Sequence, residues 1–417
     1  MELPFKAGDI LLPKKSIDMS KWSVVACDQY TSEKEYWDKL DCFVGKEPST
    51  LRITLPEIYL EDHLEERIKK INKTMSDYLK QDIFDEYKDA IFYIQRKQED
   101  GKVREGLIGV VDLEAYDYNP GSSSLIRATE KTVIERIPPR VKIREEALLE
   151  LPHIMILIDD PKKEVIESLS DKVKKEDKVY DFKLNMNGGH LTGYNLNSNL
   201  KEKVLDNLKK LMNAKEFEKK YQVKDKGVLL FAMGDGNHSL ATAKTIYEEL
   251  KKTNKDYLSD PRRYALVELV NLHSEALEFE AIHRIIFDTD SKKMMEELNK
   301  YYKINEDGKG QKFTVIIDGK EKNMYIENPQ SNLAVGSIQM FLDNYLKENR
   351  GKIDYIHGDD TLKKMTKKDK SIGFMFDAIS KDELFKTIII DGVLPRKTFS
   401  MGHAYDKRYY TEARKIR

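Results

Sequence analysis

The sequence predicts an α/β protein, α+β with a mixed sheet, in two parts, and three observations carry that reading. Short runs of β-branched and aromatic residues alternate with longer segments whose apolar residues recur at threes and fours. The chain has 417 residues, 40% hydrophobic and 35% charged, enough for two cores and a heavily charged surface. No segment approaches the ~20 apolar residues of a membrane span.

Taken in order, strand patterns fall at "SVVAC" (23–27), "AIFYIQRK" (90–97), "LIGVVDL" (107–113) and "IMILI" (154–158). They continue at "GVLLFAM" (227–233), "YALVELVNL" (264–272), "FTVII" (313–317) and "IGFMF" (372–376). Helical patterns cover 61–80, 200–221, 239–252 and 337–348. The charged stretch 159–178 reads as a solvated helix and loop. A long charged helix gives way to a buried strand near 220–226, so the expected division is an N-terminal region 1–222 and a C-terminal region 223–417.

A net charge of -1 gives no bulk attraction to nucleic acid or to an anionic membrane, so neither is an expected partner. Two cysteines, Cys27 and Cys42, exclude a disulfide framework and a cysteine-rich zinc site. The opening "MELPFKAGDILLPKKS" lacks the apolar core of a secretory signal, and the expected location is cytoplasmic.

The segment "GVLLFAMGDGNHSLATAK" (227–244) concentrates the chemistry. A strand hands over to a helix across Gly234, Asp235 and Gly236, and Asn237, His238 and Ser239 open the helix. Helix starts leave N–H groups unpaired and carry partial positive charge, which suits phosphate. The glycines would let that phosphate approach, and Asn237 or Ser239 would cap the helix. The spacing is neither a Walker A loop nor a Rossmann fingerprint. A capping turn needs no acid and imidazole beside it, whereas phosphoryl chemistry uses both.

The segment resembles the Asp-Gly-His-His-Arg signature of the family known as domain of unknown function 1015. The likeness extends to "VVACDQYTSEKEYW", "REGLIGVVDLEAYDY", "SLIRATEKTVIERIPPR", "EFEAIHRIIF" and "LPRKTFSMGHAYDKRYYTEARKI". More distantly, it is similar to the Gly-His-Arg phosphate box of the ParB and sulfiredoxin-like group, which includes free-serine kinases and CTP-binding ParB proteins. This resemblance implies a ParB/sulfiredoxin-like phosphate-binding element and a link to serine metabolism. The chain departs from the signature where Asn237 and Ser239 flank His238, so the arginine clamp on phosphate is missing there.

Other residues join the candidate site. Asp28, Gln29 and Tyr30 follow a strand and read as a ligand edge, with a turn-capping aspartate as the plain alternative. Arg127, Glu130, Arg136 and Arg140 offer forks and an acid, or else a surface ion-pair network. Alternation puts His283 on an apolar face and Arg284 on the other; the resemblance makes both site candidates. Arg396, Lys397 and Ser400 form a basic, hydroxyl-bearing loop suited to a phosphate tail.

The expected function is phosphotransfer to a small hydroxylated metabolite, with serine and O-phosphoserine as the leading pair and ATP, ADP or CTP as co-substrate. Asp28 or Asp235 would take the hydroxyl proton or, at Asp235, hold Mg2+ together with substrate phosphates. His238 would stabilise charge on the moving group. An O-phosphoserine phosphatase and a non-catalytic nucleotide or metabolite sensor fit the same residues.

Overall fold

The computed structural model describes residues 2–132, 134, 137–395 and 397–417. Arg136 and Arg396, both expected in the site, lie outside the described residues. The chain is mixed α/β and divides into two compact units. One comprises Met1–Ala128, Thr132–Leu277 and His403–Arg417, the other Thr129–Lys131 and Glu278–Gly402.

The division near 222 expected from sequence falls inside the first unit. The strand that follows it, Phe231–Asp235, pairs with Met155–Ile158 on one side and Ile126–Arg127 on the other. One sheet therefore crosses the expected boundary. Its path runs Lys178–Lys183, His190–Asn195, Phe92–Lys97, Val103–Asp112, Tyr264–Asn271, Met155–Ile158, Phe231–Asp235, Ile126–Arg127, Tyr116–Asp117, and Phe5–Lys6 pairs with Val103–Asp112 off this path. Three pairings are parallel: Met155–Ile158 with Tyr264–Asn271, and Ile126–Arg127 with both Phe231–Asp235 and Tyr116–Asp117. Central strands are buried on both faces, which is why they read as continuous apolar runs.

Helices accompany this sheet in the first unit. Leu64–Lys80 buries Ile68, Ile71, Met75 and Tyr78, the spacing of one helix face. Asn237–Thr253 buries Leu240, Ala243 and Tyr247 and places Lys251 and Lys252 in its last turn. The single helix expected over 200–221 is two, Ser198–Leu211 and Ala214–Tyr221. Asn213 separates them, because its side chain accepts from the N–H groups of Lys215 and Glu216 and so starts a new helix. The charged 159–178 stretch carries short 3-10 turns, Glu167–Leu169 and Lys175–Asp177, in place of a helix.

The chain's last residues belong to the first unit. Tyr409–Tyr410 pairs antiparallel with Val24–Val25, and Arg414–Lys415 with Leu149–Glu150. The expected "SVVAC" strand is thus a two-residue strand outside the large sheet. The same unit holds a buried charge network. Arg104 Nε meets Glu268 Oε1 at 3.2 Å, Arg408 Nε lies 3.2 Å from Glu268 Oε2, and Arg408 also pairs with Glu412. Gly106 makes room for it, since a Cβ there would sit 2.9 Å from Glu268 Oε1. Burial alone would raise the Glu268 carboxyl; the guanidiniums of Arg104, Arg408 and Arg96 outweigh it and hold it below its ordinary value.

The second unit holds a sheet in the order Ile304–Asn305, Lys320–Ile326, Gln311–Ile317, Ile372–Met375, Phe279–Phe287, Lys352–His357, and Phe399–Met401 pairs with Phe279–Phe287. Helices Ser291–Tyr301, Ala334–Glu348 and Lys381–Asp391 belong to it. Among the described residues, no helix of the chain is long and apolar enough to cross a membrane.

Candidate functional site

The strand of the Gly-Asp-Gly segment starts and ends later than expected, at Phe231–Asp235, so Gly234 and Asp235 are strand residues and not turn residues. Gly227, the expected first strand residue, has φ +67 and passes its carbonyl to Arg127. The helix starts at Asn237, and its N-cap is Gly236 in the left-handed region at φ 74. Neither Asn237 nor Ser239 is the cap. A Cβ on Gly236 would stand 3.0 Å from Ile154 Cα and 3.3 Å from the His153 carbonyl oxygen. This glycine serves the backbone conformation and close packing on residues 153 and 154.

The expected N–H cradle is partly spent. Gly236 N–H donates to Asp235 Oδ1 at 2.9 Å, and Ser239 N–H to the Gly236 carbonyl at 3.0 Å. Those two donors are not available to an anion. A cation from far along the chain does stand beside Asp235. Lys407 Nζ lies 3.4 Å from Asp235 Oδ2, with both side chains mostly buried.

Lys407 is held firmly. Arg96 donates to the carbonyls of Tyr405, Asp406 and Lys407 and, at 3.0 Å, to that of Gly188. Arg104 Nη1 adds a second bond to the Asp406 carbonyl at 2.7 Å. Two buried guanidiniums thus fix three successive carbonyls of the segment that carries Lys407.

The Asp28 turn reaches the same place. Tyr410 OH accepts from Cys27 N–H at 3.1 Å and lies 3.1 Å from His153 Nδ1. His153 Nε2 is 2.8 Å from Ser239 Oγ. Residues 27 to 30 are therefore joined to the start of the Asn237–Thr253 helix through two side chains. Gln29 Nε2 donates to Asp28 Oδ1 at 3.0 Å, and Tyr30, at φ 51, stacks on Tyr36 with ring centroids 3.7 Å apart. Glu57 N–H donates to the Cys27 carbonyl at 2.8 Å, and Arg140 pairs with the Glu57 side chain. Burial, followed by the charge of Asp28, pushes the Cys27 thiol up to about 12, so it is no nucleophile at neutral pH.

Other expected ligands do different work. Arg127 is buried, and its donors go to the carbonyls of Ser124, Lys226 and Gly227 at 2.8, 3.1 and 2.8 Å. It staples loops and does not present its fork to a ligand. Burial lowers its guanidinium to about 10. Glu130, His283, Arg284, Lys397 and Ser400 belong to the second unit. There Arg284 is buried too, bonding Gln339 Oε1 at 2.9 Å and the carbonyls of Ile282 and Lys397 at 2.6 and 2.9 Å. His283 Nε2 meets Asp359 Oδ1 at 2.8 Å, and its Nδ1 accepts from Phe376 N–H at 3.3 Å. Burial lowers its pKa more than Asp359 raises it. Lys397 N–H donates to Glu130 Oε1 at 3.2 Å, and Ser400 Oγ donates to the Gly402 carbonyl at 3.3 Å.

Asp235 does not suit a metal in this arrangement. One oxygen accepts from Gly236 N–H and the other faces an ammonium. Among the described residues, no three His, Cys, Asp or Glu side chains gather as a ligand set. His153, Tyr410 and Lys407 were not singled out from sequence. His153 sits in "LPHIMILID", where the apolar run drew the reading, and Lys407 lies 172 positions after Asp235, since 407 − 235 = 172.

The chain belongs to the family DUF1015, described as protein of unknown function, whose sequence profile matches residues 4–345. No curated protein matches it in sequence. Among solved structures, it is similar to a free serine kinase variant in complex with AMP, at 13% identity and a TM-score of 0.39, covering 74% of this chain and 92% of that one. A conserved hypothetical protein from Pyrococcus furiosus matches at 11% identity and TM-score 0.36, covering 74% and 94%. SbnI from Staphylococcus aureus, with its C-terminus truncated, matches at 9% identity and TM-score 0.36, covering 71% and 82%.

Proposed function

We propose that this protein is a phosphotransferase that moves a phosphoryl group from a nucleotide to a small hydroxylated metabolite, with free serine as the leading acceptor. One observation carries the proposal: Lys407 is brought to Asp235 at the start of the Asn237–Thr253 helix, where the sequence lacks an arginine. A cation beside a helix start is the environment phosphoryl groups require. The serine assignment comes from the family resemblance.

Roles follow from which groups are already engaged. Asp235 is bonded to Gly236 N–H and paired with Lys407, so it orients the lysine. Asp28 has one oxygen tied to Gln29, leaving the other for a substrate hydroxyl. In the reaction, the acceptor oxygen bonds to the terminal phosphorus as its proton passes to Asp28 and the bond from phosphorus to the nucleotide oxygen breaks. Lys407 and the helix start hold the transferred group, and His238 stabilises its charge. No step is assigned to Mg2+, because the Asp235 oxygens do not fit one.

A second reading has an observation of its own. Ser239 Oγ lies 2.8 Å from an imidazole, the contact of a nucleophile with its base. That pair would support hydrolysis of O-phosphoserine through a phosphorylated serine. Labelled serine incubated with ATP, ADP or CTP, beside O-phosphoserine incubated with and without ADP, separates the two. Nucleotide-dependent label transfer is expected, falling about 100-fold or more in Asp28→Asn. Phosphate release without nucleotide supports the hydrolase; nucleotide binding with no phosphate movement supports a sensor.

A further inference from the structure

We infer that His153 and Tyr410 are positioning residues that lock Ser239 as a hydrogen-bond donor to the bound phosphoryl group. The inference deepens the phosphotransfer reading and rests on it. It stands on the direction in which three hydrogen bonds must run.

The chain of contacts is Cys27 N, Tyr410 OH, His153 Nδ1, His153 Nε2 and Ser239 Oγ, with separations of 3.1, 3.1 and 2.8 Å across its three hydrogen bonds. A backbone N–H only donates, so the Tyr410 oxygen accepts from Cys27. The phenol keeps its own proton, because burial pushes Tyr410 well above its ordinary value, with Cys27 and Asp28 adding to that push. That proton has two neighbours, the imidazole Nδ1 and the Cys27 sulfur, and sulfur is the weaker acceptor. Tyr410 therefore donates to His153 Nδ1.

An imidazole that accepts at Nδ1 carries its hydrogen at Nε2. His153 Nε2–H then donates to Ser239 Oγ. The serine's own hydrogen has no acceptor among the described residues, since the His153 contact is the side chain's one bond there. Ser239 is in the first turn of the helix, next to His238 and three residues past Gly236. A hydroxyl fixed as acceptor on the protein side offers its hydrogen to a ligand oxygen. The same polarity removes His153 as a base for Ser239, because the nitrogen facing the hydroxyl already holds a proton. It thus excludes the phosphoserine route of the hydrolytic reading.

The test uses the full chain labelled with 15N-histidine, with His153→Asn to assign the His153 signals. At neutral pH, Nδ1 of His153 is expected in the unprotonated range and Nε2 in the protonated range. Tyr410→Phe, which removes the donor, should shift His153 toward a mixture of tautomers while the other histidine signals stay in place. Ser239→Ala should weaken ADP and inorganic phosphate binding by about tenfold, and Ser239→Thr, which keeps the hydroxyl, should restore it. A protonated Nδ1 with a bare Nε2 would overturn the inference and return Ser239 to the role of nucleophile. The assigned tautomer with full binding by Ser239→Ala would overturn the donor role. A wild-type chain that binds neither ADP nor phosphate would instead sink the underlying phosphotransfer reading, with the tautomer unaffected.

Discussion

Replacing Lys407 by Met removes the cation paired with Asp235 at the helix start while keeping most of the side chain's bulk. The ammonium sits 3.4 Å from Asp235, and both side chains are largely shielded from water. At an effective dielectric of 20 the bare attraction over that distance is about 5 kcal/mol, most of it offset by desolvation. Exposed pairs contribute about 0–1 kcal/mol and broken, fully buried pairs cost about 3–5, so this largely but not fully shielded pair should cost about 1–2. Ligand binding should lose more, because a charge-assisted bond to phosphate contributes about 1.5–3 kcal/mol, or roughly 10- to 150-fold in Kd. Calorimetric titration with ADP reads the binding, and urea unfolding reads the stability. Lys415→Met is the control, since Lys415 is close in sequence but its ammonium pairs with Glu86, at 3.5 Å on the surface. An ADP affinity unchanged within twofold in Lys407→Met, alongside the expected loss of stability, would refute the claim that this lysine holds phosphate.

Further outcomes follow from the same structure. Glu268 is held below its ordinary value, so its stabilisation is complete above the unfolded carboxyl's pKa and is lost as pH falls through the folded one. Glu268→Gln should therefore be about 3–5 kcal/mol less stable at pH 7 and show a shallower acid loss in urea titrations across pH. Gly236→Ala should cost about 1–2 kcal/mol in the same assay, because φ is 74 and the added carbon meets Ile154 Cα at 3.0 Å. Cys27→Ala should retain turnover, and wild-type turnover should survive thiol reagents at neutral pH, because the Cys27 thiol stays protonated.

Strong local patterns were legible in the sequence. The Met155–Ile158 and Tyr264–Asn271 strands are buried on both faces, and such strands declare themselves by unbroken apolar runs. The Leu64–Lys80 helix shows its buried face at threes and fours. What periodicity could not show was any feature that depends on distant pairing. The strand before the helix reaches Asp235 because Met155 pairs with it there, while the ladder on its other side stops at Ala232, and nothing local separates Gly234 in a strand from Gly234 in a turn. The division into units was misplaced for the same reason, since one sheet draws strands from both sides of residue 222.

The candidate site divides along the same line. Asp28, Asp235 and Ser239 stood out because acids and hydroxyls at a strand end or helix start are conspicuous. Arg127 and Arg284 stood out for their forks, yet both are buried and bond backbone carbonyls. An arginine on phosphate and one stapling loops have the same local sequence. Lys407 and Tyr410 were hidden because their role depends on the segment 405–410 returning to Val24–Val25 and being clamped by Arg96. Only the folded chain brings them to Asp235 and His153.

The most direct test of the account is a crystal structure of the full chain with ADP and serine bound. The account predicts the terminal phosphate at hydrogen-bond distance from Lys407 Nζ and Ser239 Oγ, at the start of the Asn237–Thr253 helix, with the serine hydroxyl facing Asp28. A nucleotide bound elsewhere, with Lys407 still on Asp235 and no ligand oxygen near Ser239, would contradict it.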